Sequence, residues 1–273
     1  MEKKGYVLGQ SPAAARRLEL QDRYFGEPSE RLLDMLALRP TDLVVELGCG
    51  PGSFSHRVLG RLGEGGMLRG VDTSEGLLGE ARVLLTKASP ARFETILGDA
   101  SRLGPWLTGA DGVVGRLVLH HIPMMEHLLG RLRTVLRPGA KLGFLEPDVR
   151  TLQARMAYLQ ATERPDVAPL LVWAATMNQL FLHNRISPEA GATLAQTLDL
   201  AGYRKIRAEW SPNPPNALMI ENMVMLYDEI RDTVASLGIL SSADVTEQQR
   251  LLGALSLEGV PPVWGSFRVV CEV

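Results

Sequence analysis

The stretch Val44-Val45-Glu46-Leu47-Gly48-Cys49-Gly50-Pro51-Gly52 sets three glycines at alternate positions directly after a short apolar run. Backbone that carries no Cβ can turn sharply there and come close to a ligand, which is what nucleotide-binding turns require. The next apolar run ends in Asp72, about twenty residues beyond the last glycine, where a carboxylate can accept both hydroxyls of a ribose. Asp99 follows in Gly98-Asp99-Ala100, after a third run. Further on, His120 and His121 are adjacent, and imidazole changes charge near neutrality. Glu146 lies where its carboxylate could orient one of those rings by a hydrogen bond. Together these groups would hold a nucleoside-type ligand beside a general base. Plainer readings stay open: the glycines could serve the turn alone, Asp72 could cap the helix from Glu75, and Asp99 could be an ordinary loop acid. One histidine could pack while the other caps the helix that follows Pro123.

The elements that must position these residues can be read from the hydrophobic rhythm. Two helical patterns, residues 12–24 and 28–38, each have proline near the start, where the missing N–H costs least. From residue 42 onward, short apolar runs (43–47, 67–71, 93–97, 113–119 and 141–145) alternate with amphipathic segments (54–62, 75–85 and 124–136). This is the signature of buried parallel strands with crossover helices, a doubly wound α/β domain. The alternation stops after Asp148, and residues 150–184 read as helices carrying Met156, Tyr158, Trp173, Met177 and Phe181. A helix over 188–200, a strand over 203–210, helices to about residue 257 and a last strand over 263–273 complete the chain.

The glycine turn resembles motif I of the class I S-adenosylmethionine-dependent methyltransferases, acid-x-Gly-x-Gly-x-Gly, from Glu46 to Gly52. A dinucleotide fingerprint would need its third glycine where Ser53 stands, which demotes NAD. The resemblance continues through Gly98-Asp99-Ala100, through Arg116-Leu117-Val118-Leu119-His120-His121 and through Leu136-Arg137-Pro138-Gly139-Ala140. It implies a mostly parallel seven-stranded sheet in the order 3-2-1-4-5-7-6, with strand 7 antiparallel and with helical lid insertions. It also implies S-adenosyl-L-methionine as cofactor and S-adenosyl-L-homocysteine as product. Cofactor-binding positions would be Glu46, Gly48, Cys49, Gly50, Gly52, Asp72, Thr73, Asp99, Ala100 and Arg116. By the same resemblance, His120, His121 and Glu146 are similar to the His-His-acid set of small-molecule O-methyltransferases, in which the acid is commonly Asp. The activity implied is methylation of a hydroxyl, or of an acidic carbon, on a small and partly apolar metabolite. The alternative is a tailoring enzyme, such as a cyclase, that binds the same cofactor without methylating.

His183 in the insertion could reach substrate or be solvated, and Asp148 could touch substrate or cap the next helix. The segment from Tyr6 to Ser11 resembles a leader that closes over the cofactor. A metal site is not expected, on the argument that adjacent histidines at a strand end point to opposite faces. The expected organisation is a helical cap (1–40), a cofactor-binding core (41–149), a lid (150–186) and a completion of the core (187–273) with a helical insertion at about 212–260. Net charge is -2, so there is no field to hold a nucleic-acid backbone. Hydrophobic residues make up 45% and charged residues 22%, which is globular rather than disordered or fibrous. Two cysteines cannot form a disulfide framework, and no apolar window reaches membrane-spanning length. A cytoplasmic protein with a small-molecule substrate is expected, with a homodimer left open.

Overall fold

The computed structural model describes residues 12–86, 91–148, 157, 167–258, 260, 262 and 264–273. In chain order the elements are α1 (Pro12–Tyr24), α2 (Gly26–Leu36), β1 (Leu43–Leu47), α3 (Ser53–Leu59), β2 (Met67–Asp72), α4 (Glu75–Leu85), β3 (Arg92–Leu97), β4 (Gly112–Arg116), α5 (Met125–Val135) and β5 (Lys141–Asp148). After them come α6 (Ala168–His183), α7 (Ala190–Leu200), β6 (Arg204–Asn213), α8 (Ala217–Ser236), α9 (Ser242–Gly253) and β7 (Trp264–Glu272). The seven strands form one sheet in the order β3-β2-β1-β4-β5-β7-β6. Pairing is parallel from β3 through β5, and β7 is antiparallel to both β5 and β6.

The central strands are covered on both faces, which is why they read as predominantly apolar runs. Val44, Val45 and Leu47 of β1 are fully buried, as are Leu142, Phe144 and Leu145 of β5. One face packs against α5 and α7 through Leu129, Leu132, Leu194 and Leu198. The other packs against α2, α3 and α4 through Leu32, Leu36, Val58 and Ala81. A third core stands apart from the sheet, where Trp173, Met177 and Leu180 of α6 meet Met219, Met223 and Tyr227 of α8 and Val245 and Leu252 of α9. The apolar residues beyond Asp148 therefore have a core of their own. Helix α1 lies along α8, tied by an ion pair between Arg17 and Glu229 and by Asn222 Nδ2 donating to the Arg17 carbonyl at 3.0 Å. Among the described residues, no helix is long and apolar enough to cross a membrane.

Three local expectations change. Strand β4 stops at Arg116 instead of reaching Leu119, because Leu117 adopts a left-handed φ of 54° and turns the chain out of the sheet. Leu119 to His121 then form a single 3₁₀ turn. Strand β5 runs to Asp148 because β7 pairs with it along its whole length. Of the helices expected over 150–184, α6 is described; Met156 and Tyr158, and the leader from Tyr6 to Ser11, lie outside the described residues.

Candidate active site

A cavity of about 1190 Å³ opens at the carboxyl ends of β1, β2, β4 and β5 and is closed on the far side by α1, α6 and α8. Ligands of open α/β sheets bind at this switch point, where β1 and β4 send their connections to opposite sides. The glycine turn forms one wall. Gly48, Gly50 and Gly52 have φ of 66°, 53° and 88°, all in the left-handed region. A Cβ on Gly50 would stand in open space, its nearest neighbour Leu18 Cδ1 at 3.7 Å, so the bare backbone is what lets a ligand approach. Gly52 is bare for packing: a Cβ there would meet Leu85 Cδ1 at 2.9 Å and the Ala81 backbone at 3.2 Å.

Asp72, at the end of β2, ties the two turns together. Its Oδ2 accepts from Gly50 N at 2.9 Å and its Oδ1 from Ser74 N at 2.9 Å. The cap of α4 is Ser74, whose hydroxyl accepts from Leu77 N, so Asp72 does not fill that role. Asp72 lines the cavity together with Thr73, and each of its oxygens has a second lone pair for a ligand hydroxyl. Asp99 and Ala100 line the same cavity beyond β3, with Asp99 Oδ1 held by Ser101 N at 2.9 Å and Ser101 Oγ at 2.6 Å.

Beneath the turn, Glu46 is fully buried and accepts from Ser55 Oγ at 2.6 Å. Burial pushes its carboxyl up to about 8; Ser55 and Arg116 oppose the rise, and the nearby Asp72 and Asp22 add to it. Burial also pushes the Cys49 thiol upward. The Arg116 guanidinium is committed to Asp22 of α1 and lies over the Phe54 ring, 5.1 Å from its centre. Burial alone would raise the Asp22 carboxyl, but Arg57 and Arg116 together hold it below its usual range. Asp22 thus clamps α1 over the turn.

On the opposite wall, Glu146 is wholly buried at the end of β5. It gathers Val118 N at 3.0 Å, Leu119 N at 2.8 Å, His120 N at 3.3 Å and His120 Nδ1 at 2.6 Å. These donors replace the water that burial removes, and they wind the chain after β4 into its 3₁₀ turn. A carboxylate oxygen accepts, so in this pair His120 Nδ1 donates and Nε2 carries the ring's lone pair. His120 and His121 both line the cavity, with ring centres 4.0 Å apart and a tilt of 40°. They do not point to opposite faces, because they sit in a 3₁₀ turn and not on a strand. That argument against a metal therefore falls, although among the described residues no three His, Cys, Asp or Glu side chains gather as a metal would need. Burial, with the charges of His120 and Arg17, holds His121 well below the usual imidazole value.

Phe181 of α6 covers the two rings at 6.2 and 6.5 Å, and His183 lines the cavity from the end of the same helix. Asp148 also lines it and accepts from Trp210 Nε1 at 2.6 Å; the helix it was expected to cap lies outside the described residues. Sequence reasoning missed Arg17, Asn213 and Asn222, which line the cavity from α1, β6 and α8. Arg17 shares a three-residue spacing with Ala14 and Leu20 on the buried side of α1, but that spacing alone does not mark a charged residue as buried.

Residues 44–139 match the family described as "Methyltransferase domain". A trans-aconitate 2-methyltransferase of Methylobacterium nodulans is 33% identical over 206 residues, which cover 72% of this chain and 76% of that protein. The chain belongs to the S-adenosylmethionine-dependent methyltransferases. Another relative, the trans-aconitate 2-methyltransferase of Variovorax paradoxus, is 32% identical over 165 residues; the match spans 60% of either protein. Among solved structures, the cyclopropane synthase MmaA2 from Mycobacterium tuberculosis shares the fold of this methyltransferase, with a TM-score of 0.59 at 12% identity over 90% of this chain and 83% of that one. S-adenosylmethionine is the cofactor of the family. The methyltransferase has room for it: bare backbone at Gly50, an acid at Asp72 and a cavity of about 1190 Å³.

Proposed function

We propose that the protein transfers a methyl group from S-adenosylmethionine to a hydroxyl oxygen of a small, partly apolar metabolite, with His120 as the proton acceptor. The observation that carries this reading is the pairing of His120 Nδ1 with the buried Glu146 at 2.6 Å in the cavity wall. A base oriented this firmly has little use when the acceptor is already an anion or a free amine. When bound, the cofactor supplies an electrophilic methyl on a sulfonium and departs as S-adenosylhomocysteine.

The chain's own residues bind, orient and deprotonate. The backbone from Gly48 to Gly52 would cradle the cofactor, and Asp72 would accept its ribose hydroxyls. Asp99 and Ala100 would face its base. Glu46, Cys49 and Arg116 would shape the floor of the turn, Arg116 by holding Asp22 and hence α1 in place. Thr73 would stand at the rim. Glu146 is a positioning residue: it fixes the tautomer of His120 so that Nε2 takes the hydroxyl proton as the oxygen attacks in line with the methyl-sulfur bond. His121, kept neutral by burial, would pack against His120 and the acceptor. Helices α6 and α8 would exclude water from the reacting atoms.

The test is turnover with labelled methyl donor and a panel of hydroxylated metabolites, read by mass spectrometry. A product heavier by roughly 14 mass units is expected, together with released S-adenosylhomocysteine. His120→Gln should lower kcat by about a hundredfold or more while cofactor affinity stays within about twofold. Product without the mass gain would assign the site to a non-methylating tailoring reaction. Full turnover in His120→Gln would remove the base from this reading.

A further inference from the structure

We infer that Arg17 anchors a carboxylate of the acceptor, so that the substrate class is a small carboxylic acid carrying the reacting hydroxyl; this deepens the methyl-transfer reading and rests on it. The Arg17 side chain is 1% exposed and lines the cavity. Its Nε donates to Glu229 Oε1 at 2.8 Å, and Glu229 is itself only 6% exposed. Its Nη2 is buried and has no hydrogen-bond partner among the described residues. A charged N–H left unfilled in the interior is costly, and native structures rarely leave one without a purpose. A guanidinium presents a planar fork that matches a carboxylate in geometry and in charge, and Glu229 occupies only its Nε corner.

Position assigns this donor to the acceptor and not to the cofactor. The residue of α1 nearest Gly50 is Leu18, whereas Arg17 turns toward α8, where Glu229 and Asn222 hold its side chain and its carbonyl. It is close enough to His121 for its charge to be felt there. Asn213 lines the same cavity, and its buried Nδ2 is a second donor without an acceptor among the described residues. It stands at the end of β6, separated from β1 by β4, β5 and β7, and its Oδ1 is taken by Ser266 Oγ at 3.3 Å. Two unfilled donors on residues that line one cavity fit an acceptor rich in oxygen. Two relatives are named for an acid substrate, trans-aconitate, which shares the carboxylate of the proposed class but has no hydroxyl.

The experiment is calorimetric titration of the full chain saturated with S-adenosylhomocysteine, using 4-hydroxybenzoate and 4-hydroxycinnamate, each alongside its amide. At least one acid should bind, and at least about tenfold more tightly than its amide, as loss of a charge-assisted hydrogen bond implies. Arg17→Lys keeps a cation for Glu229 but removes the fork, and should weaken that acid by about ten- to a hundredfold with S-adenosylhomocysteine affinity unchanged. The double variant Arg17→Met, Glu229→Met removes both buried charges at once and should give the same selective loss, which separates anchoring from folding. The inference is overturned if no acid binds, if acid and amide bind alike, or if the Arg17→Lys loss falls on S-adenosylhomocysteine. Failure of the wild type to bind S-adenosylhomocysteine at all would instead refute the methyl-transfer reading.

Discussion

Replacing Glu46 with Gln should change how stability depends on pH more than it changes stability at any mildly acidic pH. Glu46 is completely buried beneath the glycine turn, and its carboxyl is raised from 4.5 to about 8. In the unfolded chain the group ionises near its ordinary value, so between those two pH values the folded state holds the extra proton. Its contribution is therefore fully present below 4.5 and is lost as pH rises through about 8. The slope is about 1.4 kcal/mol per pH unit, and the whole loss is on the order of 5 kcal/mol. Gln cannot ionise, and its amide oxygen can still accept from Ser55 Oγ, which now lies 2.6 Å from the carboxylate. Two neighbours titrate with the opposite sign. His121, lowered from 6.5, and Asp22, lowered from 3.8, each lose their contribution as pH falls. They are common to both proteins and cancel in the difference. Urea unfolding of wild type and Glu46→Gln from about pH 5 to about pH 9, without cofactor, should show wild type losing its advantage steadily and Gln ahead at the alkaline end. A difference that stays flat across this range would refute the reasoning, because it would mean that Glu46 is ionised throughout.

Three further outcomes follow from the geometry. Asp72→Ala removes the acceptor of Gly50 N and Ser74 N and should weaken S-adenosylmethionine binding by about tenfold or more, measured by calorimetric titration; unchanged affinity would leave the acid a purely structural tie. Glu146→Ala strands four donors in the interior, three from the backbone and one from His120, and should cost about 3 kcal/mol or more in unfolding free energy. Glu146→Gln should spare more of that stability yet lower kcat, since the tautomer of His120 is no longer enforced. Gly52→Ala forces a φ of 88° on an alanine and drives its methyl against Leu85 and Ala81; a loss of about 1–3 kcal/mol is expected in thermal unfolding, and a stability equal to wild type would contradict the packing described.

The sheet was legible because its central strands are buried on both faces, so Val44, Val45 and Leu47 leave a dense apolar trace around the one carboxyl of Glu46. Helix starts carried their own punctuation, with Pro12 at α1 and Ser74 capping α4. The end of β4 was not legible. Its course is set by Leu117 turning left-handed and by a carboxylate 26 residues past His120 drawing in successive N–H groups, a long-range cause that no local pattern records. The two histidines were found by type and spacing, but their side-by-side arrangement depends on that same turn. Arg17 was hidden for another reason. A charged residue in a helix is normally solvated, and only the arrival of α8, with Glu229, makes burial of this one possible.

The pairing of α1 with α8 has a consequence for biosynthesis. Arg17 and Glu229 are 212 positions apart, so α1 must wait for α8 to be synthesised before its buried charge finds a counterion. The strands that shape the nucleoside end can form well before that, since domains fold progressively as they emerge. The two halves of this cavity thus come into being at different times. A stall or nick between them should yield a protein that grips the methyl donor while having nowhere to seat what it would modify.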